Sequence, residues 1–313
     1  MNRLLLTLLI GWLFFSYNAT GEPDQVEQTL CVQHAEDAFK RLNVLLTENH
    51  LLPLELDPVH LVITQPRDRQ RKTNIWQIRT ASYTVLQFLP KSCALISIYR
   101  DTYKDALLYD GPPKPTWTEN QAIENAKKWV TAFLNYFPDN VGTPKIGFVD
   151  QRKVPEYYDG HWRIRWARTD SQGHRFDGDA LSVELGEKQG LISISLNFYS
   201  TFDEIHDKLI SEEDAIATSH SSAEILLHSE LVRPLLPPGL KLGTATASLW
   251  IMNPTHLLQS KTLDEASASE EIKARLAWVV VYTLMDGNAP ASYHTLEVWI
   301  DAQTKEAIGG DFK

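Results

Sequence analysis

The sequence predicts an α+β protein built as tandem repeats, each a helix packed on an antiparallel β-sheet. Three observations carry that expectation. Amphipathic helical stripes open three successive segments, each segment then holds a Trp-centred run, and each closes with a pair of runs that read as a hairpin. A helix followed by hairpin-linked strands places helices on one face of an antiparallel sheet, not between parallel strands.

The N-terminus comes first in the chain and reads as an address. Residues 1–21 have one basic residue, Arg3, then an apolar run over residues 4–15, then small and polar residues. That is the form of a secretory signal peptide, with an apolar run too short to span a bilayer comfortably. Cleavage is expected near Ala19 to Gly21. An uncleaved N-terminal anchor is the alternative. No later segment offers the ~18 continuous apolar residues a transmembrane helix requires. The expected location is therefore secreted or periplasmic, with no stable membrane insertion after cleavage.

Each predicted helix has its own apolar face. In "VEQTLCVQHAEDAFKRLNVLL", Val26, Leu30, Ala38, Leu42 and Leu45 recur at helical spacing. In "TENQAIENAKKWVTAFLNYF", Ile123, Ala126, Val130, Phe133 and Phe137 do the same, and Thr118 with Gln121 has the spacing of a capping box. "SEEDAIATSHSSAEILL" opens on Ser211 and Asp214 and carries Ile216, Ala223 and Leu227. The strands follow. "IWQIR" around Trp76 and "HWRIRWAR" around Trp162 alternate at period two, the mark of a half-buried strand. "AWVVVYTL" around Trp278 is more uniformly apolar and predicts burial on both faces. The hairpins are "YTVLQFLPKSCALISIY", "LSVELGEKQGLISISLNF" and "LEVWIDAQTKEAIGGDF", with turns at "PKSC", "EKQG" and "AQTKE".

These passes set the expected domains: a signal peptide at 1–21 and repeats at 22–108, 117–203 and 209–313. The Pro- and Gly-rich stretch 109–117 separates the first two repeats, and 200–211 the last two. In the third repeat "LVRPLLPPGLKLG" and "LLQSKTLDEASASEEIKA" read as insertions.

Composition excludes some functions. With 43% hydrophobic and 22% charged residues the chain can build real cores. A formal net charge of -10 argues against a nucleic-acid partner, which needs clustered cations. The one basic cluster, residues 67–72, sits between two expected strands and reads as a solvated loop. Only two cysteines are present, Cys31 and Cys93. In an oxidising compartment they are expected to form one bridge, from the first helix to the sheet of its own repeat. Two buried free thiols are the other reading.

The third repeat supplies a resemblance. Its helix start "SEEDAIATSH", strand "LAWVVVY" and hairpin "EVWIDAQTKEAIGGD" resemble the PepSY domain family. The match falls on Ala215, Ile216, Trp278, Val298, Ile300, Asp301, Ala302, Thr304 and Ile308. It departs at Lys305, where the family usually has Gly, so a different turn geometry is expected there. The second repeat is similar through Ala122, Ile123, Trp162 and Gly190, with Glu187 and Lys188 in place of the usual Asp-Ala step. The first matches in outline. The resemblance implies a secreted, non-enzymatic protein that binds polypeptides and inhibits or regulates peptidases outside the cytoplasm. It also implies structural roles, in packing and turn formation, for Ala215, Ile216, Trp278, Ile300, Asp301, Ala302 and Thr304.

The sequence holds no His-Glu-x-x-His, Gly-x-Ser-x-Gly, phosphate-binding glycine loop or Cys-x-x-Cys. His220, Glu224 and His228 recur every four residues and have metal-ligand chemistry, but a buried His220 beside an exposed His228 is the expected arrangement. Asp177 and Asp179 have the chemistry to bind a calcium ion or act as paired carboxylates, but two acids across a glycine read as a hairpin turn, as does Asp159 before Gly160. Trp162, Trp166, Tyr157 and Tyr158 are a stacking platform for sugars or ordinary strand aromatics. No catalytic residue, metal site or cofactor is expected. The expected partner is a secreted peptidase or other polypeptide. The alternatives are an extracytoplasmic ligand- or glycan-binding module, a structural envelope component, or an enzyme of unfamiliar type.

Overall fold

The computed structural model describes residues 25–51, 60–64, 75–80, 84–89, 91–100, 115–149, 160–187, 190–198, 200–202, 208–229, 239–254, 273–287 and 289–312. The expected signal peptide, the basic cluster at 67–72, Asp159, Tyr157, Tyr158, most of the 109–117 linker and most of both insertions lie outside them. The fold is α+β. It forms two compact units: residues 1–138, 144–165 and 182–196 make the first, and 139–143, 166–181 and 197–313 the second. The segment 22–108 falls wholly in the first and 209–313 wholly in the second, while 117–203 contributes to both.

The first unit begins with α1 (Gln25–Glu48), then the strands β1 (His60–Thr64), β2 (Ile75–Arg79), β3 (Thr84–Phe88) and β4 (Leu95–Arg100), which pair antiparallel in chain order. The apolar face of α1 is Cys31, Ala35, Ala38, Phe39, Leu42 and Leu46. This corrects the expected stripe, which included Val26 and Leu45: Val26 is 78% exposed and Leu45 only half-buried. Ala35, Ala38 and the bridged Cys31, all fully buried, set the helix face.

Next comes α2 (Glu119–Leu134). Thr118 Oγ1 accepts from the Gln121 amide, and the Gln121 side chain accepts from the Thr118 amide, completing the expected capping box. Its buried face is Ala122, Ala126, Trp129, Val130 and Phe133. Arg41 of α1 donates to the carbonyls of Ala132 and Phe133 at 2.7 and 3.1 Å, placing a cation at the negative end of α2.

β5 (Lys145–Val149) pairs antiparallel with β6 (His161–Thr169), and β6 with β7 (Arg175–Gly186); β6 and β7 supply residues to both units. β8 (Gly190–Asn197) pairs with β4, aligning Ile98 with Ile194. Gly190 has a φ of +71°, and a Cβ there would drive into Leu51 and press on Trp129. Only glycine fits both demands.

The second unit is the simpler. α3 (Glu212–Leu227) starts at Ser211, whose hydroxyl accepts from the Asp214 amide at 3.1 Å. β9 (Lys241–Met252), β10 (Arg275–Asp286), β11 (Ala289–Asp301) and β12 (Ala307–Phe312) follow as an antiparallel meander. α3 lies on one face of this meander over Val280, Tyr282, Leu284, Leu296, Val298 and Ile300. The other face carries its own buried cluster of Met252, Ala277, Val279, Trp299 and Ile308. So β10 is buried on both faces, as its uniformly apolar run implies. Among the described residues no helix is long and apolar enough to cross a membrane.

Candidate functional site

The residues that carry the resemblance converge on one corner of the second unit. Asp301 Oδ1 accepts from the amides of Gln303 and Thr304, both at 2.9 Å, which folds the β11–β12 turn. Asp301 Oδ2 also takes a long 3.4 Å contact from Arg275 Nη1. Ala302 donates to the Leu276 carbonyl and accepts from the Ile210 amide, both at 2.9 Å. The Trp278 indole N–H donates to the Ile210 carbonyl at 3.1 Å. The turn thus holds the segment just before α3, so helix and hairpin are registered to each other. Ala215, Ile300 and Ala302 are fully buried, and Ile216 of α3 is half-buried against the same core. Thr304 is exposed, its hydroxyl facing the Glu306 amide at 3.4 Å. Lys305 takes a φ of +63°, the left-handed conformation glycine favours, and its ammonium reaches Asp214 at 3.2 Å.

In the first unit Cys31 and Cys93 form a disulfide, both sulfurs fully buried. Around it His34 Nδ1 donates to the Cys93 carbonyl at 2.8 Å, and the Lys91 amide contacts the Glu27 carboxylate.

The other candidates rearrange. Asp177 and Asp179 are not at a turn: both lie within β7, and the turn is made by Asp170, whose carboxylate accepts from the Gln172 and His174 amides. Asp179 is 0% exposed and paired with Arg168 Nη1 at 2.9 Å. Its two oxygens also accept from the Ser200 amide and hydroxyl at 3.1 and 2.9 Å. Arg168 packs over the Phe176 ring at 4.2 Å. A buried carboxylate with three donors, one of them a guanidinium, ties a strand to the following segment.

His220 is exposed, which corrects the expected buried histidine; the buried residue is its neighbour Ser219. Ser219 Oγ and Tyr282 Oη are 2.7 Å apart, and Tyr282 also donates to the Ile216 carbonyl. Burial pushes the Tyr282 phenol up, Ser219 opposes this and Glu224 adds to it, so the group stays neutral. Among the described residues no three His, Cys, Asp or Glu side chains are placed to hold a metal. Trp162 and Trp166 are both buried, so they stack on the core.

Glu187 and His161 are groups that local sequence pattern does not announce. Glu187 accepts from the Thr116 and Trp117 amides and from the Trp162 indole, each at 2.9 Å, and from the Thr116 hydroxyl. Burial alone would raise its pKa, but these donors together hold the carboxyl below its usual range. His161 is buried, its Nε2 unbonded among the described residues and 3.9 Å from Glu184. Burial lowers the imidazole pKa; Glu184 opposes that and Arg163 adds to it. A cavity of about 280 Å³ between α1 and α2 is lined by His34, Asp37, Arg41, Leu95, Phe133 and Tyr136.

The surface best suited to recognition is the outer edge of β9. One edge pairs with β10 along the strand; the other meets β7 in parallel only at Trp250 and Ile251. Among the described strands, nothing pairs with the outer edge from Lys241 to Leu249. That is an open row of amides and carbonyls roughly 30 Å long. Its side chains are small: Gly243, Thr244, Ala245, Thr246, Ala247 and Ser248. Thr244, Thr246 and Ser248 are exposed, while Ala245 and Ala247 face α3. Charge, proline and bulges usually protect such an edge; here Lys241 stands at its start, and the register against β10 shifts between Ala245 and Leu242, a bulge-type irregularity at Gly243 and Thr244.

No family model matches the chain, and no curated protein matches it. Among solved structures it is similar to the Bacillus megaterium YpeB C-terminal domain, at 12% identity and a TM-score of 0.42, over 91% of this chain and 96% of that one. A likeness at that level carries no conclusion about role.

Proposed function

We infer that this chain is a non-enzymatic, PepSY-like extracytoplasmic protein that binds polypeptides in extended form and thereby restrains peptidases or their precursors. The observation that carries the reading is the open edge of β9. An extended segment laid against residues 241–249 continues the antiparallel meander, and main-chain hydrogen bonds supply affinity without demanding one sequence. The small side chains of residues 243–248 let a second backbone approach along the middle of the run. The Cys31–Cys93 bridge supports an oxidising compartment, where such bridges form and persist. Burial of Trp162 and Trp166 takes two of the four aromatics out of the stacking platform that a glycan-binding reading would use.

Hydrogen exchange tests this directly. Reduced, carboxymethylated α-lactalbumin serves as an unfolded polypeptide probe. Its addition should slow exchange of the amides at 241–249 and leave those of β10 unchanged. A second arm measures secreted metallopeptidase activity with and without the chain. Unaltered exchange at 241–249 overturns the edge as the site. Protection that depends on the chain's own concentration assigns the edge to a second copy and overturns the reading equally.

A further inference from the structure

We propose that the polypeptide taken by the β9 edge is basic, with cationic side chains four positions apart facing the flank of α3. This rests on the strand-addition reading and adds the chemistry of the occupant. The orientation of α3 on its sheet supplies the argument. One side of the helix points to the far edge: Leu226 lies against Gly310 of β12, and Asp214 meets Lys305 of the β11–β12 turn. At 100° per residue, Glu213, His220 and Glu224 lie on the opposite side, toward β9. The His220 ring stands edge-on at 6.3 Å to Tyr282 of β10, whose neighbours across the sheet are Ala245 of β9 and Leu296 of β11, so this contact fixes the height of His220 along the sheet, and the side is set by Leu226 and Asp214. The field of Glu224 also reaches the Tyr282 hydroxyl.

The direction of the helix is fixed as well. The Ile210 carbonyl before α3 binds Trp278, which pairs with Leu249. Ser219 binds Tyr282 opposite Ala245. So α3 runs antiparallel to β9, with Glu213 over the Leu249 end and Glu224 over the Lys241 end. A strand added at the edge lies in a groove with β9 on one side and this flank of α3 above.

The groove carries two carboxylates about three helical turns apart, roughly 16 Å along the axis. Same-face side chains four positions apart on a strand are roughly 13 Å apart, and lysine side chains are long enough to cover the remainder. Among the described residues Lys241 stands at the start of the groove, and the imidazoles of His220 and His228 share the α3 flank. His228 is already 3.4 Å from Glu224.

The test uses acetylated, amidated peptides with the full chain at neutral pH and low salt: SVKVTVKVS, its counterpart SVEVTVEVS, and the lysine peptide N-methylated at alternate residues. The lysine peptide should bind about tenfold more tightly than the glutamate peptide, by fluorescence anisotropy. The Glu213→Gln/Glu224→Gln variant should reduce that preference to about unity, as should molar salt, which screens exposed charge. The N-methylated peptide, stripped of its donors, should not bind. If both unmodified peptides bind equally and the N-methylated one does not, the basic preference is overturned and strand addition stands. A preference that survives in the double variant overturns the assignment to α3. If no peptide binds, both readings fall.

Discussion

At the scale of single residues, the least visible groups are those whose partners lie far off in sequence. Nothing near Asp179 announces burial, because Arg168 and Ser200 reach it only once the β6–β7 hairpin has formed; local pattern reads two acids around a glycine as a turn. Glu187 is hidden for the same reason, its donors coming from residues 116, 117 and 162. These buried groups govern the response to acid. The Glu187 carboxyl titrates below its usual range, so its stabilisation is complete above the ordinary carboxylate pKa and is lost as pH falls through the folded value. The lowered imidazole of His161 acts in the same sense at higher pH, because the unfolded chain takes up the proton first. In both windows the unfolded state binds more protons, so stability falls as pH falls. Urea unfolding across pH should show two steps of loss, one just below the usual imidazole range and one in the carboxylate range. Glu187→Gln should flatten only the lower step. A lower step that survives in Glu187→Gln would assign that loss to other carboxylates.

At the scale of elements, much was legible. The three helices, the Trp-centred strands and the closing hairpins all appear, because period and turn chemistry are local properties. Helix starts were the clearest: Thr118 with Gln121, and Ser211 with Asp214, cap as their spacing implies. Helix faces were less so. In α1 the buried stripe runs through Cys31, Ala35 and Ala38, and small residues score weakly in any apolar count although they are fully buried here. The edge of β9 was not legible at all, since pairing is a property of neighbours and not of the strand. The cap of α2 gives the element-scale prediction. Thr118→Ala removes one half of the capping box and leaves the Gln121 amide without an acceptor. It should cost about 1 kcal/mol in urea unfolding. Thr118→Asp, which keeps an acceptor and adds a charge at the positive end of the helix, should recover that loss. Equal loss in both variants would mean that Thr118 acts through packing and not as a cap.

At the scale of the whole molecule, the informative fact is where the covalent cross-link lies. The bridge joins residues 62 apart in sequence, and both belong to the first unit. Closing a loop of that length restricts the unfolded chain and contributes about 4 kcal/mol on the chain-entropy account, which treats the folded form as unstrained. The second unit contains no cysteine and relies on α3, its meander and the Asp301 turn. Reduction should therefore divide the molecule. Amides of α1, β3 and β4 should lose protection from hydrogen exchange in the Cys31→Ser/Cys93→Ser variant, while those of β10 and β11 keep theirs. The same variant should retain peptide binding at the β9 edge, because every residue of that groove lies in the second unit. Loss of protection throughout the chain would mean that the two units fold as one cooperative body. In that case the disulfide would support the binding edge as well as the core it crosses.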